Sequence, residues 1–142
     1  MDSELADLAE VILAIARELR MGMDAETVHL TPSEAFVMRY IDNHPGAAPS
    51  DVAKYTGLQR SNLSTALRSL ERRGFVQRLA DPHDARGANL FPTDLAAANL
   101  TRLRRQWARQ MATALGDDAG DVATVKNLLR TVESAMLTDR LG

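Results

Sequence analysis

The 142 residues contain no cysteine, no long uninterrupted apolar run and no excess of positive charge. Without cysteine the chain forms no disulfide, offers no thiolate to a metal and carries no thiol redox sensor. A membrane-spanning helix needs roughly 18 or more consecutive apolar residues, and no stretch approaches that, so a soluble protein is expected. The start, Met1-Asp2-Ser3-Glu4, is acidic where a secretory signal begins basic and continues apolar, which points to a cytoplasmic protein. Histidine is scarce as well. His29, His44 and His83 fall on separate segments without metal-ligand spacing, no serine or carboxylate stands as an obvious catalytic partner, and there is no phosphate-cradling glycine loop. These absences predict no metal, no cofactor and no catalytic residues: a protein that is not an enzyme.

What is present is a globular composition, 45% hydrophobic and 25% charged, in a length suited to one domain or to a small domain with helical extensions. The net charge of −2 speaks against a polyanionic partner until its distribution is considered. Of the seventeen basic and nineteen acidic residues, seven and three lie between Lys54 and Pro92, which leaves ten and sixteen elsewhere. One region is therefore suited to phosphate, and the rest is acidic.

Along the chain, Leu5, Leu8, Ile12, Ile15, Ala16 and Leu19 recur at spacings of three and four, predicting an amphipathic helix from Ser3 to about Arg20. Thr31-Pro32-Ser33-Glu34 is a helix start with a capping box, and the helix should end before Pro45. Pro49-Ser50-Asp51 opens a short helix, Gly57 makes a turn, and a third helix runs from Gln59 or Arg60 to Arg73, stopped by Gly74. Phe75 to Leu79 alternates like a strand, Asp81 to Gly87 reads as turn, and Asn89-Leu90-Phe91 returns as a second strand. Thr93 caps a long helix bearing Leu95, Leu103, Trp107, Met111 and Leu115. After a loop at Gly116 to Gly120, a last helix carries Val122, Val125, Leu128, Leu129, Val132 and Met136.

The third helix holds the chemistry. Its inner face is Leu63, Ala66, Leu67 and Leu70, while Arg60, Ser61, Asn62, Ser64, Thr65 and Arg68 crowd the other face with no acid. A short helix, a glycine turn, a polar-faced helix and a basic hairpin describe a winged helix-turn-helix, whose second helix enters the DNA major groove. Arg60 and Arg68 suit guanine edges or phosphates and Asn62 suits adenine. Ser61, Ser64 and Thr65 suit either kind of contact, and Arg78 adds a cation on the hairpin. A solvated helix face is the plainer alternative, but such a face has no reason to exclude acids over two turns.

The stretch from Leu30 to Leu95 resembles the core of the MarR family. The resemblance rests most on Leu70-Glu71-Arg72-Arg73-Gly74-Phe75-Val76-Gln77-Arg78 and on Asp81-Pro82-His83-Asp84-Ala85-Arg86. It implies a mainly α fold with a small β-hairpin wing, in which terminal dimerisation helices flank the winged helix-turn-helix. The divisions expected are 1–29 for the N-terminal dimerisation helix and linker, 30–95 for the DNA-binding lobe and 96–142 for the C-terminal dimerisation helices. It also implies a homodimer on a pseudo-palindromic double-stranded operator, probed at the wing tip by Arg86 in the minor groove with Asp84 bracing it or a nearby arginine. Pro92 stands where the family usually has leucine, which predicts a shortened return strand, and Ala97 stands where glycine is common.

Members of the family often answer to small anionic aromatics or hydrophobic drugs, for which Met21, Met23, His29, Met38, Arg39 and Trp107 are candidate lining residues. Core packing explains the Met and Trp residues equally well. The competing function is a winged-helix dimer serving as a protein-interaction module with little DNA affinity.

Overall fold

The computed structural model describes every residue except Met23 and, in the wing, the side chains of Ala85 and Arg86. In chain order the elements are α1 (Asp2–Met21), α2 (Pro32–Asn43), α3 (Pro49–Thr56), α4 (Arg60–Arg72), β1 (Val76–Asp81), β2 (Asp84–Pro92), α5 (Asp94–Leu115), a 3-10 turn (Ala119–Asp121) and α6 (Val122–Leu141). They form two compact units, one of Met1–His29 with Asn99–Ala119, the other of Leu30–Ala98 with Gly120–Gly142.

The second unit holds the lobe. The α2 start is the reciprocal cap its sequence specifies: Thr31 Oγ1 accepts from Glu34 N–H at 3.1 Å, and the Glu34 carboxylate accepts from Thr31 N–H at 2.9 Å. Gly57 ends α3 with φ at +67°, and Gly74 ends α4 with φ at +80° while Phe75 N–H reaches back to Leu70 C=O at 2.9 Å. Val37, Ile41, Val52, Leu70, Phe75 and Leu90 are almost wholly buried at the centre. Each such side chain contributes about 1.5–3 kcal/mol on burial, so the lobe has a core of its own.

The hairpin is longer than its sequence predicts. Only Pro82 and His83 lie between the strands, with Asp81 Oδ1 accepting from His83 N–H at 2.9 Å, and β2 spans nine residues rather than a shortened few. Pro92 does not truncate the strand because it pairs opposite Val76 at the last position, where no further ladder donor is needed. The other edge of β2 is tied to the segment after α2, with Gly46 N–H to Leu90 C=O at 2.8 Å and Leu90 N–H to Ala47 C=O at 2.9 Å. Thr93 then caps α5 by accepting from Ala96 N–H at 3.2 Å while donating to Gly74 C=O.

Residues 96–142, expected as one C-terminal piece, divide between the units. After Gly116, at φ +57°, α6 joins the lobe and packs with α3. Its less exposed positions, Leu129, Glu133 and Leu137, step by fours along one side, whereas Val122, Val125, Leu128, Val132 and Met136 are exposed.

In the first unit α1 buries no residue, and Leu5, Leu8, Val11, Ile12, Leu13 and Ile15 are exposed. The segment after α1 is held to α5 by side-chain amides. Asn99 accepts from Val28 N–H at 3.0 Å, and Gln106 donates to Thr27 Oγ1 at 2.8 Å while that hydroxyl donates to Asp24 at 2.9 Å. The Thr27 hydroxyl holds the Asp24 carboxyl below its ordinary value against desolvation, aided by the backbone N–H groups of Glu26 and Thr27 and by Gln106. Among the described residues no helix is long and apolar enough to cross a membrane.

Candidate nucleic-acid interface

The α4 helix is divided by its sequence into two opposed faces. Leu63, Ala66, Leu67 and Leu70 are buried against the lobe core, and Arg60, Ser61, Asn62, Ser64, Thr65 and Arg68 are all exposed. All six predicted recognition residues are thus presented together on one helix, and its first acid is Glu71. Two of them rest on their own backbone: Thr65 Oγ1 donates to Ser61 C=O at 3.0 Å, and Arg68 Nε to Ser64 C=O at 3.4 Å. Exposed hydrogen bonds within one helix, such as these, contribute only about 1 kcal/mol net, so exchanging them for base or phosphate contacts costs little.

The other end of α4 is fixed by a group that sequence reading treated only as a cap. Glu34 is buried at 6% exposure, and its second carboxylate oxygen accepts from Ser69 Oγ at 2.8 Å and pairs with Arg73 Nη2. Burial pushes this carboxyl up, but the Thr31 N–H, the Ser69 and Thr31 hydroxyls and the Arg73 charge outweigh it. The net result lies below the ordinary glutamate value of 4.5. One side chain therefore ties the α2 N-terminus to the last turn of α4. The signal was available, since Glu34 and Ser69 lie in helices and Arg73 caps the end of α4, but one sequence does not reveal which helix faces which.

This node also revises the charge count. Arg73 is committed to Glu34, and Arg78, a predicted DNA contact, is held by Glu71 through Nε–Oε1 at 3.0 Å and Nη2–Oε2 at 3.4 Å. The Arg78 pair is partly exposed and such pairs are worth little, so phosphate can compete for that guanidinium. On the wing, Asp84 is exposed as the first residue of β2 and has an interaction partner. Arg86 is in β2 by backbone, and its predicted minor-groove role rests on a side chain outside the described residues.

The candidate ligand residues have varied settings. In the first unit Met21 lines an apolar cleft of about 890 Å³ between α1 and α5, beside Glu18, Arg109 and Met111, while His29 is exposed on the following segment and Trp107 is half-buried. In the second, Met38 belongs to the lobe core and Arg39 pairs with Glu133 of α6. Met23 lies outside the described residues. Among the described residues no cluster of His, Asp or Glu could hold a metal.

With this geometry, the sequence model of the MarR family matches residues 30–87. The chain is 26% identical over 136 residues to an HTH-type transcriptional regulator of Bacillus subtilis, YybA, covering 94% of this chain and 91% of that one. Its fold is similar to that of the PcaV transcriptional regulator from Streptomyces coelicolor, solved with its natural ligand (28% identity, 91% of each chain, TM-score 0.65). It is also similar to the transcriptional repressor CouR, solved on a 23-mer DNA duplex (27% identity, 89% of each chain, TM-score 0.70). A winged helix-turn-helix with an outward-facing polar recognition helix defines a DNA-binding transcriptional regulator. Over residues 30–87 the chain is similar to the MarR family.

Proposed function

We propose that the protein is a cytoplasmic, homodimeric, sequence-specific repressor, and not an enzyme, whose two lobes bind half-sites of a pseudo-palindromic operator. The observation that carries this is the α4 face: six exposed polar or cationic side chains, no acid among them, above a buried apolar face that keeps them turned outward. In this reading α4 lies in the major groove with Asn62 and Arg68 on base edges and Arg60, Ser61, Ser64 and Thr65 on bases or phosphates. The wing lies on the adjacent minor groove, with Arg86 reaching in, Asp84 bracing the turn and Arg78 exchanging Glu71 for phosphate. Likeness to CouR supports repression.

Dimerisation is supported by the exposed apolar residues that recur along α1 and, separately, along α6, where singly scattered hydrophobics would need no explanation. A small aromatic or anionic ligand is the proposed modulator, as the likeness to ligand-bound PcaV supports. Of the candidate lining residues, Met21 lines a cleft, and Arg109 beside it supplies a cation.

The test is a salt series on double-stranded DNA selected by the protein from a randomised pool. Counterion release predicts affinity falling linearly with salt on logarithmic axes, at about 0.9 per phosphate neutralised. Binding insensitive to salt would sink the reading and favour the protein-interaction module.

A further inference from the structure

The C-terminal turn of α6 ends on the turn of the helix-turn-helix. Gly57 closes α3 there, and a Cβ on it would stand 2.8 Å from Arg140 Cδ, closer than carbon atoms approach. The Arg140 guanidinium lies 5.5 Å from the centroid of the Phe36 ring. Behind Phe36 the rings continue, Phe36 to Tyr55 at 4.9 Å, Tyr55 to Tyr40 at 4.7 Å and Tyr40 to His44 at 4.2 Å. Two turns earlier in α6, Glu133 pairs with Arg39 of α2. One face of α6 therefore touches both helices in front of α4, and its cation sits where the α3 carbonyls end, a place that favours positive charge.

We infer that Arg140, with Glu133 as its second anchor, is a positioning residue for DNA reading: it holds the Gly57-Leu58-Gln59 turn and so sets how α4 is presented. The inference rests on α4 being the DNA-reading helix. Each contact alone is weak, a cation over a half-buried ring and an exposed ion pair, so losing them loosens the turn without unfolding a core to which α6 contributes no buried residue. The neighbouring stripe of α6, from Val122 to Met136, is exposed, so whatever covers that stripe also bears on the turn.

The experiment compares Arg140→Ala, Arg140→Lys and Glu133→Gln with wild type in three measurements: amide hydrogen exchange, mass in solution, and affinity for a duplex that the wild type selects from a randomised pool, across salt. Expected for Arg140→Ala are faster exchange at residues 57–60 with the α4 core amides unchanged, an unaltered mass, and affinity weaker by about three- to tenfold at an unchanged salt slope. Lysine should restore most of both effects, and Glu133→Gln should show a smaller version. Unchanged exchange at the turn overturns the inference whatever the DNA result, as does a salt slope reduced by about one, which would make Arg140 a direct phosphate contact. If wild type selects no duplex, the regulator reading fails, while the exchange arm still decides whether Arg140 holds the turn.

Discussion

The lobe and the α1 helix solve the same problem in opposite ways. The lobe encloses Val37, Ile41, Val52, Leu70, Phe75 and Leu90 so completely that its fold is determined within one chain. The α1 helix has equally regular apolar spacing yet buries nothing, and Leu5, Val11 and Leu13 are each more than half exposed. The same pattern of threes and fours thus marks a core in one place and an uncovered surface in the other. Periodicity shows that a face is apolar, and only packing shows what it meets.

The largest effect that tests this contrast comes from the core. Leu70→Ala should cost about 2–5 kcal/mol, because Leu70 is fully buried and its truncation leaves a cavity, and chemical denaturation should show it. Ile12→Asp with Leu128→Asp should instead leave the lobe folded by circular dichroism and halve the mass in light scattering, since both side chains are exposed in the single chain. Leu128 is the better probe than Leu129, which is half-buried. A wild type that is monomeric at micromolar concentration would remove the contrast altogether.

Next in size is DNA reading. Asn62→Ala or Arg68→Ala should each cost about 1–3 kcal/mol on a selected operator if the side chain makes a bidentate base contact, and less on random duplex. Equal losses on both would make that residue a phosphate contact. Neither change should move the thermal midpoint by much, because both side chains are exposed.

Much of this was legible in the sequence. The Thr31 cap, the Gly57 and Gly74 stops and the two faces of α4 are local, and local rules predict them. Three features were not, each for lack of long-range information. The length of β2 depends on pairing with β1 and on a bridge to Ala47, and the place of α6 depends on α3. The commitment of Arg73 to Glu34 joins residues 39 apart, so charge counted along the chain overstated the free cations near α4.

A smaller effect separates two carboxyls within the lobe by sign. Glu34 titrates below its ordinary value, so its contribution to stability is complete above about pH 4.5 and is lost as the pH falls through the folded value. Asp42 titrates above its ordinary 3.8 because burial disfavours its charge, so it costs stability at neutral pH and that cost is relieved on acidification. Denaturation across pH 3 to 7 should therefore show Glu34→Gln less stable at neutral pH with a flatter acid limb, and Asp42→Asn slightly more stable at neutral pH. Opposite signs would show that the Arg73 and Ser69 contacts do not hold the Glu34 charge.

The smallest expected effect is a coupling at the wing. Arg86→Ala should weaken operator binding without shifting the thermal midpoint, because the hairpin core is Val76 and Leu90 and position 86 lies beyond them near the turn. Asp84→Ala should weaken binding as well, but only by letting the loop and Arg86 take other positions, since an acid gains nothing from phosphate. If Asp84 acts through Arg86, then once Arg86 is gone the second change has little left to remove, and the double variant should lose less than the sum of the singles. The cycle is best measured at two salt concentrations, because losing Arg86 removes a cation from the interface and should lower the salt slope, whereas Asp84→Ala should leave the slope alone. Additive losses would show that Asp84 works independently of Arg86. An Arg86→Ala protein with wild-type affinity across salt would show that the wing does not touch DNA, leaving α4 as the sole reader.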